Sequence, residues 1–236
     1  MNKFWKIFII CFFLFAISAI LVYYFYFYKK PAAQNISKTE ELAAKYPEAV
    51  TPKPDENKVR NWKIYSDPSG IFSLKYPDEI TVNGAKDGSV QFLTEIKKLA
   101  ELGTAGKNAE SNKEQLDRGK TGILPTGGVA ASNKVVSLDN GKVFSMSYLL
   151  TNSGDKCQPK LVRELVFYYG ESQVKISYDI LNIESSEYLT TNKNCPTKVW
   201  ADESALYKLL SENKASSEIQ NLYNDFDEII KSITIK

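Results

Sequence analysis

VVSLDNGKVFSMSYLL, residues 135–150, alternates apolar and small polar side chains on the far side of a turn signal. Phe144, Met146, Tyr148 and Leu150 fall on one side of an extended chain, with Val143, Ser145 and Ser147 on the other. That period of two marks a strand whose register is pinned by a buried face. Asp139-Asn140-Gly141 supplies residues that tolerate left-handed backbone, so the stretch predicts a β-hairpin.

Three further strand pairs are read outward from it. LVRELVFYY and QVKISYDIL flank Gly170-Glu171-Ser172, with Val174, Ile176, Tyr178 and Ile180 as the buried set. Near the start, WKIY and IFSLKYP flank Asp67-Pro68 and Gly70, and Phe72, Leu74 and Tyr76 share a face. ITV and SVQFL flank Asn83-Gly84 and Asp87-Gly88 and are expected to form one more hairpin. Four hairpins predict an antiparallel sheet.

The C-terminal pattern changes to a helical period. DESALYKLLSE aligns Leu206, Leu209 and Leu210 behind an acidic start. SSEIQNLYNDFDEIIKSI aligns Ile219, Leu222, Tyr223, Phe226, Ile229, Ile230 and Ile233. Such a helix must cover an apolar surface, so the fold class expected is α+β, an antiparallel β-sheet flanked by helices on one or both faces. Between Lys97 and Lys134 the periodicity lapses, apart from Ile96, Leu99 and Leu102, and the glycines predict a mobile insertion or binding loop.

The other end of the chain reads differently. Ile7 to Tyr28 is a run of 22 uncharged residues, which as a helix would extend roughly 33 Å and so span a hydrocarbon core of about 30 Å. It ends in Tyr23, Tyr24, Phe25, Tyr26, Phe27 and Tyr28 and then Lys29-Lys30, the pattern of an interfacial anchor. A cleaved signal peptide has an apolar core of about 7–15 residues and a small-residue site, and neither fits here. Cys11 follows Ile10 inside the run, where it reads as a small apolar residue and not as a lipidation site. The expected partition is a transmembrane signal-anchor over 1–30, a polar, proline-containing stalk over 31–60, and an α+β domain over 61–236. Lys3, Lys6 and the terminal amine favour a cytoplasmic N-terminus and an extracytoplasmic domain.

Composition excludes several chemistries. Histidine is absent, which removes Ser-His-Asp and Cys-His catalysis and imidazole metal ligation. Beyond residue 30 there are 26 basic and 28 acidic side chains, without a basic stripe, so nucleic acid is not an expected partner. Cys157 and Cys195, in GDKCQPK and NKNCPTK, are the only cysteines outside the apolar run. A pair in turn-like sequence of an exported domain predicts a disulfide, and no third cysteine or histidine stands near for a metal.

Other motifs fail on spacing. Gly119-Lys120-Thr121 lacks the earlier glycine of a phosphate loop, because Glu114 stands there. Lys120-Thr121-Gly122 and Ser211-Glu212-Asn213-Lys214 resemble serine–lysine hydrolase elements, but in reversed order. Asp225, Asp227 and Glu228 lie in the amphipathic helix, where acids are expected to face water, and no calcium-loop spacing accompanies them.

Tyr65-Ser66-Asp67-Pro68-Ser69-Gly70-Ile71-Phe72-Ser73-Leu74-Lys75-Tyr76-Pro77 resembles the opening hairpin of PsbP-like domains. Tyr223-Asn224-Asp225-Phe226-Asp227-Glu228-Ile229-Ile230-Lys231-Ser232-Ile233 is similar to their closing helix, which typically leads into a last short strand. The resemblance implies a sheet flanked by helices and a non-enzymatic assembly or binding role. It transfers no functional residues, since the matching positions are core and turn positions. The expectation is therefore a single-pass extracytoplasmic binding or assembly module. It would meet the lipid bilayer through residues 7–28 and a protein or envelope component through its domain, and it would need no cofactor. An envelope hydrolase using Ser/Lys or acidic residues, and a ligand sensor, are the alternatives.

Overall fold

A computed structural model of the chain describes residues 61–78, 80–82, 91–125, 128–151, 157, 159–181, 187–191 and 193–236. The apolar run over 7–28 and the stalk over 31–60 lie outside these residues. Among the described residues no helix is long and apolar enough to cross a membrane. The described elements all fall within the unit Tyr46–Lys236.

The fold is α+β. A six-stranded sheet runs in the order β3 (Thr81–Val82), β4 (Gln91–Lys98), β8 (Ser172–Leu181), β7 (Leu161–Tyr169), β6 (Val143–Thr151), β5 (Lys134–Leu138). A three-stranded sheet joins β1 (Trp62–Ser66), β2 (Phe72–Pro77) and β11 (Thr234–Ile235), and β9 (Leu189–Thr190) pairs with β10 (Val199–Trp200). Among the described residues three α-helices complete it: α1 (Thr104–Asp117), α2 (Glu203–Ser211) and α3 (Ser217–Lys231).

Three of the four expected hairpins form. In β5–β6, Leu138 pairs with Val143 and Lys134 with Ser147. Its turn centres on Asp139 and Asn140, with φ of 48° and 54°, and the Gly141 amide donates back to the Leu138 carbonyl at 3.1 Å. Two successive left-handed residues match the twist of the strands they join. β7–β8 pairs Tyr169 with Ser172 across a loop whose Gly170 has φ of 56°. β1–β2 pairs Trp62 with Pro77.

The expected pairing of ITV with SVQFL as a hairpin is corrected. β3 lies parallel to β4, with Thr81 opposite Gln91 and Val82 opposite Phe92. The antiparallel neighbour of β4 is β8, from Gln91–Asp179 to Lys98–Ser172. The sequence between β3 and β4 holds two turn dipeptides, Asn83-Gly84 and Asp87-Gly88, both outside the described residues, and such a sequence is compatible with two reversals as well as with one. The six-stranded sheet is consequently antiparallel except at that edge.

The expectation of a loop or mobile insertion over Lys97–Lys134 is corrected for Leu99–Asp117. A 3-10 turn at Leu99–Leu102 leads into the regular helix α1. Its buried face is Gly106, Ala109, Asn112 and Leu116, which includes one large apolar residue. Small residues let the helix lie close to its neighbours: a Cβ at Gly106 would sit 3.0 Å from the Leu99 carbonyl oxygen. A helix that packs through small side chains leaves almost no hydrophobic period to read.

The main sheet is covered on both faces. On one, α3 lies with Phe226 stacked on Tyr178 at 5.8 Å between ring centroids. Phe72 of the smaller sheet meets Phe167 edge-on at 6.0 Å, and Tyr76 stacks on Phe92 at 6.2 Å. Ser145 and Ser147 are fully buried on this side. α2 begins at Asp202, whose carboxylate accepts the Ala205 amide at 2.9 Å as an N-cap. It is tied to α3 where Gln220 Nε2 donates to the Leu210 carbonyl at 2.9 Å. On the opposite face, α1 packs through Ala109 and Leu116 on Met146, Tyr148, Val166 and Tyr168.

Candidate functional site

The register of the sheet lines up the side chains on the α1 face. Tyr148, Glu164 and Ser177 are direct cross-strand neighbours on β6, β7 and β8. In the next row Met146, Val166 and Lys175 are neighbours, and Glu95 of β4 follows. α1 covers part of these rows, and the segment following it, Gly122 to Pro125, folds back alongside. Between helix, segment and sheet lies a cleft of about 270 Å³.

The local sequence explains why the segment returns. Gly119 has φ of 67°; its amide bonds to the Leu116 carbonyl at 2.8 Å and the Lys120 amide to the Gln115 carbonyl at 2.8 Å. This is a glycine helix stop, which turns the chain out of α1. Asn112 then grips the returning segment. Its Oδ1 accepts the Ile123 amide at 2.6 Å, and its Nδ2 donates to the Ile123 carbonyl at 3.3 Å. Gly122 is required there, since a Cβ would come within 2.7 Å of Asn112 Oδ1. Asn133 Nδ2 donates to the Gly122 carbonyl at 3.3 Å.

The cleft is lined by Leu102, Ala109, Leu124, Met146 and Val166 together with Asn108, Asn112, Gln173 and Lys175, so that polar and apolar surface face it about equally. Beneath it, Glu164 is only 6% exposed. Its Oε2 accepts the Tyr148 hydroxyl at 2.6 Å, and its Oε1 accepts the Ser177 hydroxyl at 3.1 Å. Lys175 Nζ stands 3.8 Å from Oε2. A buried carboxylate with both oxygens engaged is compensated, as burial of a charge demands. The Tyr148 hydroxyl is held far above its usual range, chiefly by burial and then by the negative charge of Glu164 and the hydrogen bond given to it. Burial also raises Tyr168, against the lowering effect of its bonds with Gln173 and Asn112.

Reading the sequence missed Glu164, although a signal was present. Arg163-Glu164 interrupts an apolar strand, and adjacent residues of a strand point to opposite faces. One charge therefore goes to each layer of the core. Arg163 takes the α3 side, where it donates to the Tyr223 carbonyl at 2.7 Å and pairs with Asp227 at 2.8 Å.

The other singled-out residues serve local structure. Cys157 and Cys195 stand at disulfide distance, with Sγ–Sγ 2.08 Å and Cα–Cα 5.2 Å. Lys120-Thr121-Gly122 is the exit from α1, described above. Ser211 donates to the Lys208 carbonyl at 2.9 Å, and Asn213, with φ of 55°, ends α2. Lys214 pairs with Glu212 at 3.1 Å. Hence Ser211-x-x-Lys214 is a helix terminus, and the pattern reflects capping. The solvated reading of the α3 acids is corrected for Asp225, which is buried, whereas Asp227 is partly exposed and pairs with Arg163. Glu228 is the exposed one, paired with Lys231 at 2.6 Å. Among the described residues no group of three or more acids or cysteines could hold a metal ion.

The chain matches no protein-family model and no curated protein.

Proposed function

We propose that this chain is a membrane-anchored extracytoplasmic binding module, of the PsbP-like kind, that holds a small ligand in the cleft beside α1. The observation that carries this reading is the construction of the cleft: apolar side chains interleaved with a few polar groups, and Glu164 beneath them fully engaged. A preformed concave site with few convergent polar groups is the usual form of a ligand pocket. Glu164 is spent on two hydroxyls, and Ser177 gives its proton to a carboxylate, which is too weak a base to make an alkoxide. The arrangement thus suits recognition better than turnover. Support for the anchor comes from the uncharged run Ile7–Tyr28 with its lysine flanks. Support for an oxidising compartment comes from the Cys157–Cys195 pair.

The test uses the full chain in phospholipid nanodiscs. A ligand-observed magnetic resonance screen of small polar-apolar fragments is run against the wild type and against Ala105→Trp. Ala105 is exposed and lines the cleft, so tryptophan fills the space without entering the core. Binding that the variant abolishes is the expected outcome; hits indifferent to it would refute the cleft as the site. The anchor is checked separately by alkaline extraction of membranes, where release of the chain into the supernatant would count against it.

A further inference from the structure

We propose that the cleft takes the free C-terminal carboxylate of a short peptide, a deepening that rests on the cleft being a binding site. Among the described residues that line it, Lys175 is the charged one. Its ammonium is within ion-pair range of Glu164 Oε2 at 3.8 Å but beyond hydrogen-bond reach, and that oxygen already holds the Tyr148 hydroxyl at 2.6 Å. The neighbouring Glu95, opposite Lys175 across the strands, is paired with Lys97. Lys175 therefore keeps hydrogen-bond donors for an anion, and it is only partly exposed, so a charged hydrogen bond there is less screened than on open surface.

The second polar group fixes what the anion is attached to. Gln173 gives its Nε2 to the Tyr168 hydroxyl at 3.1 Å. The amide group is left with its oxygen as an acceptor for a ligand N–H. Gln173 and Lys175 are two positions apart on one face of β8, which separates them by roughly 6.7 Å along the strand. An extended peptide has the same repeat, so a carboxylate at Lys175 brings a backbone N–H about one residue upstream to Gln173. Met146, Val166 and Leu124 would receive the apolar side chain of the terminal residue. The volume of about 270 Å³ is near the lower limit for ligand pockets, of roughly 300 Å³, and suits a dipeptide. A simple carboxylic acid shares the anion and the apolar body but has no N–H for Gln173.

Isothermal titration of the full chain in nanodiscs, with empty nanodiscs as blank, compares three probes: N-acetyl-alanyl-leucine, its C-terminal carboxamide, and hexanoate. The acid is expected to bind at least tenfold more tightly than the carboxamide. Lys175→Met should erase that difference and Lys175→Arg should keep it. Gln173→Leu should weaken the peptide acid several-fold and leave hexanoate unchanged. Equal affinity of acid and carboxamide for the wild type, a comparison that needs no variant, would overturn the carboxylate assignment. If Ala105→Trp abolished that shared binding, the cleft would stand as a site and only its ligand class would fall. Hexanoate binding as tightly as the peptide acid, with Gln173→Leu neutral, would overturn the peptide in favour of a simple acid. Heat from none of the probes, together with no fragment displaced by Ala105→Trp, would remove both readings.

Discussion

Arg163 and Glu164 each set a different layer of the molecule. The Arg163 guanidinium lies over the Tyr223 ring at 4.0 Å and near Phe226 at 5.0 Å, with its charge answered by Asp227. Asp227 is 36% exposed whereas Arg163 is 2% exposed, so the two ends of the pair are not equivalent. Arg163→Ala leaves a cavity and takes the partner from Asp227, and should lower the unfolding free energy by about 3 kcal/mol. Asp227→Asn, partly solvated, should cost about 1 kcal/mol. Urea denaturation measures both, and equal losses would contradict this account. Tyrosine ionisation gives a second prediction at this scale. Tyr148 is raised by burial and by Glu164, and Tyr223 is pushed up to about 12, by burial first, against the opposing charge of Arg163. An unfolded tyrosine titrates near 10. A folded value above the unfolded one means that the folded state holds its proton longer, so this contribution is intact below pH ~10 and is lost as pH climbs through the folded values. Tyr148→Phe should flatten the decline of the denaturation midpoint above pH ~10. It should also cost about 1–2 kcal/mol at neutral pH, since Glu164 loses a donor. An unchanged alkaline slope would show that Tyr148 is not a source of the effect.

α1 is the element that makes the cleft, and polar contacts add to its apolar packing in holding the segment that follows it. Asn112 fastens the return segment, and Gly122 makes room for it. Asn112→Ala should therefore free the Ile123 amide, seen as at least a tenfold faster hydrogen exchange there, with the amides of β7 unaffected. Gly122→Ala should produce the same local signature by pushing the segment away from Asn112. Protection at Ile123 surviving both changes would mean that something else holds the segment. These contacts also explain why this element was illegible beforehand. TAGKNAESNKEQLD has helix-forming residues but no aliphatic stripe, and an asparagine clamp leaves no periodic trace. By contrast, α3 shows its buried face in Ile219, Tyr223, Phe226, Ile229 and Ile230, because it packs through large side chains. The β5–β6 hairpin was legible for a similar reason. A turn of Asp139-Asn140 type and a one-sided apolar pattern act within a few residues of each other.

Across the whole molecule, the Cys157–Cys195 pair joins the region before β7 to the one before β10. Closing a loop with a sequence separation of 38 contributes roughly 3–4 kcal/mol in the chain-entropy model. Cys157→Ser with Cys195→Ser should lower stability by that order, measured by urea denaturation, and added reductant should then have no further effect. A double variant as stable as the wild type would refute the structural role of the pair. The identity of β1 to β8, the two C-terminal helices and the candidate cysteine pair were determined by the sequence, because each follows from local pattern or simple residue count. Only the tertiary structure decided the direction of β3, the existence of the cleft and the engagement of Glu164. Those depend on which strands become neighbours and which side chains share a row, and residues as far apart in the chain as Tyr148, Glu164 and Ser177 carry no local mark of meeting.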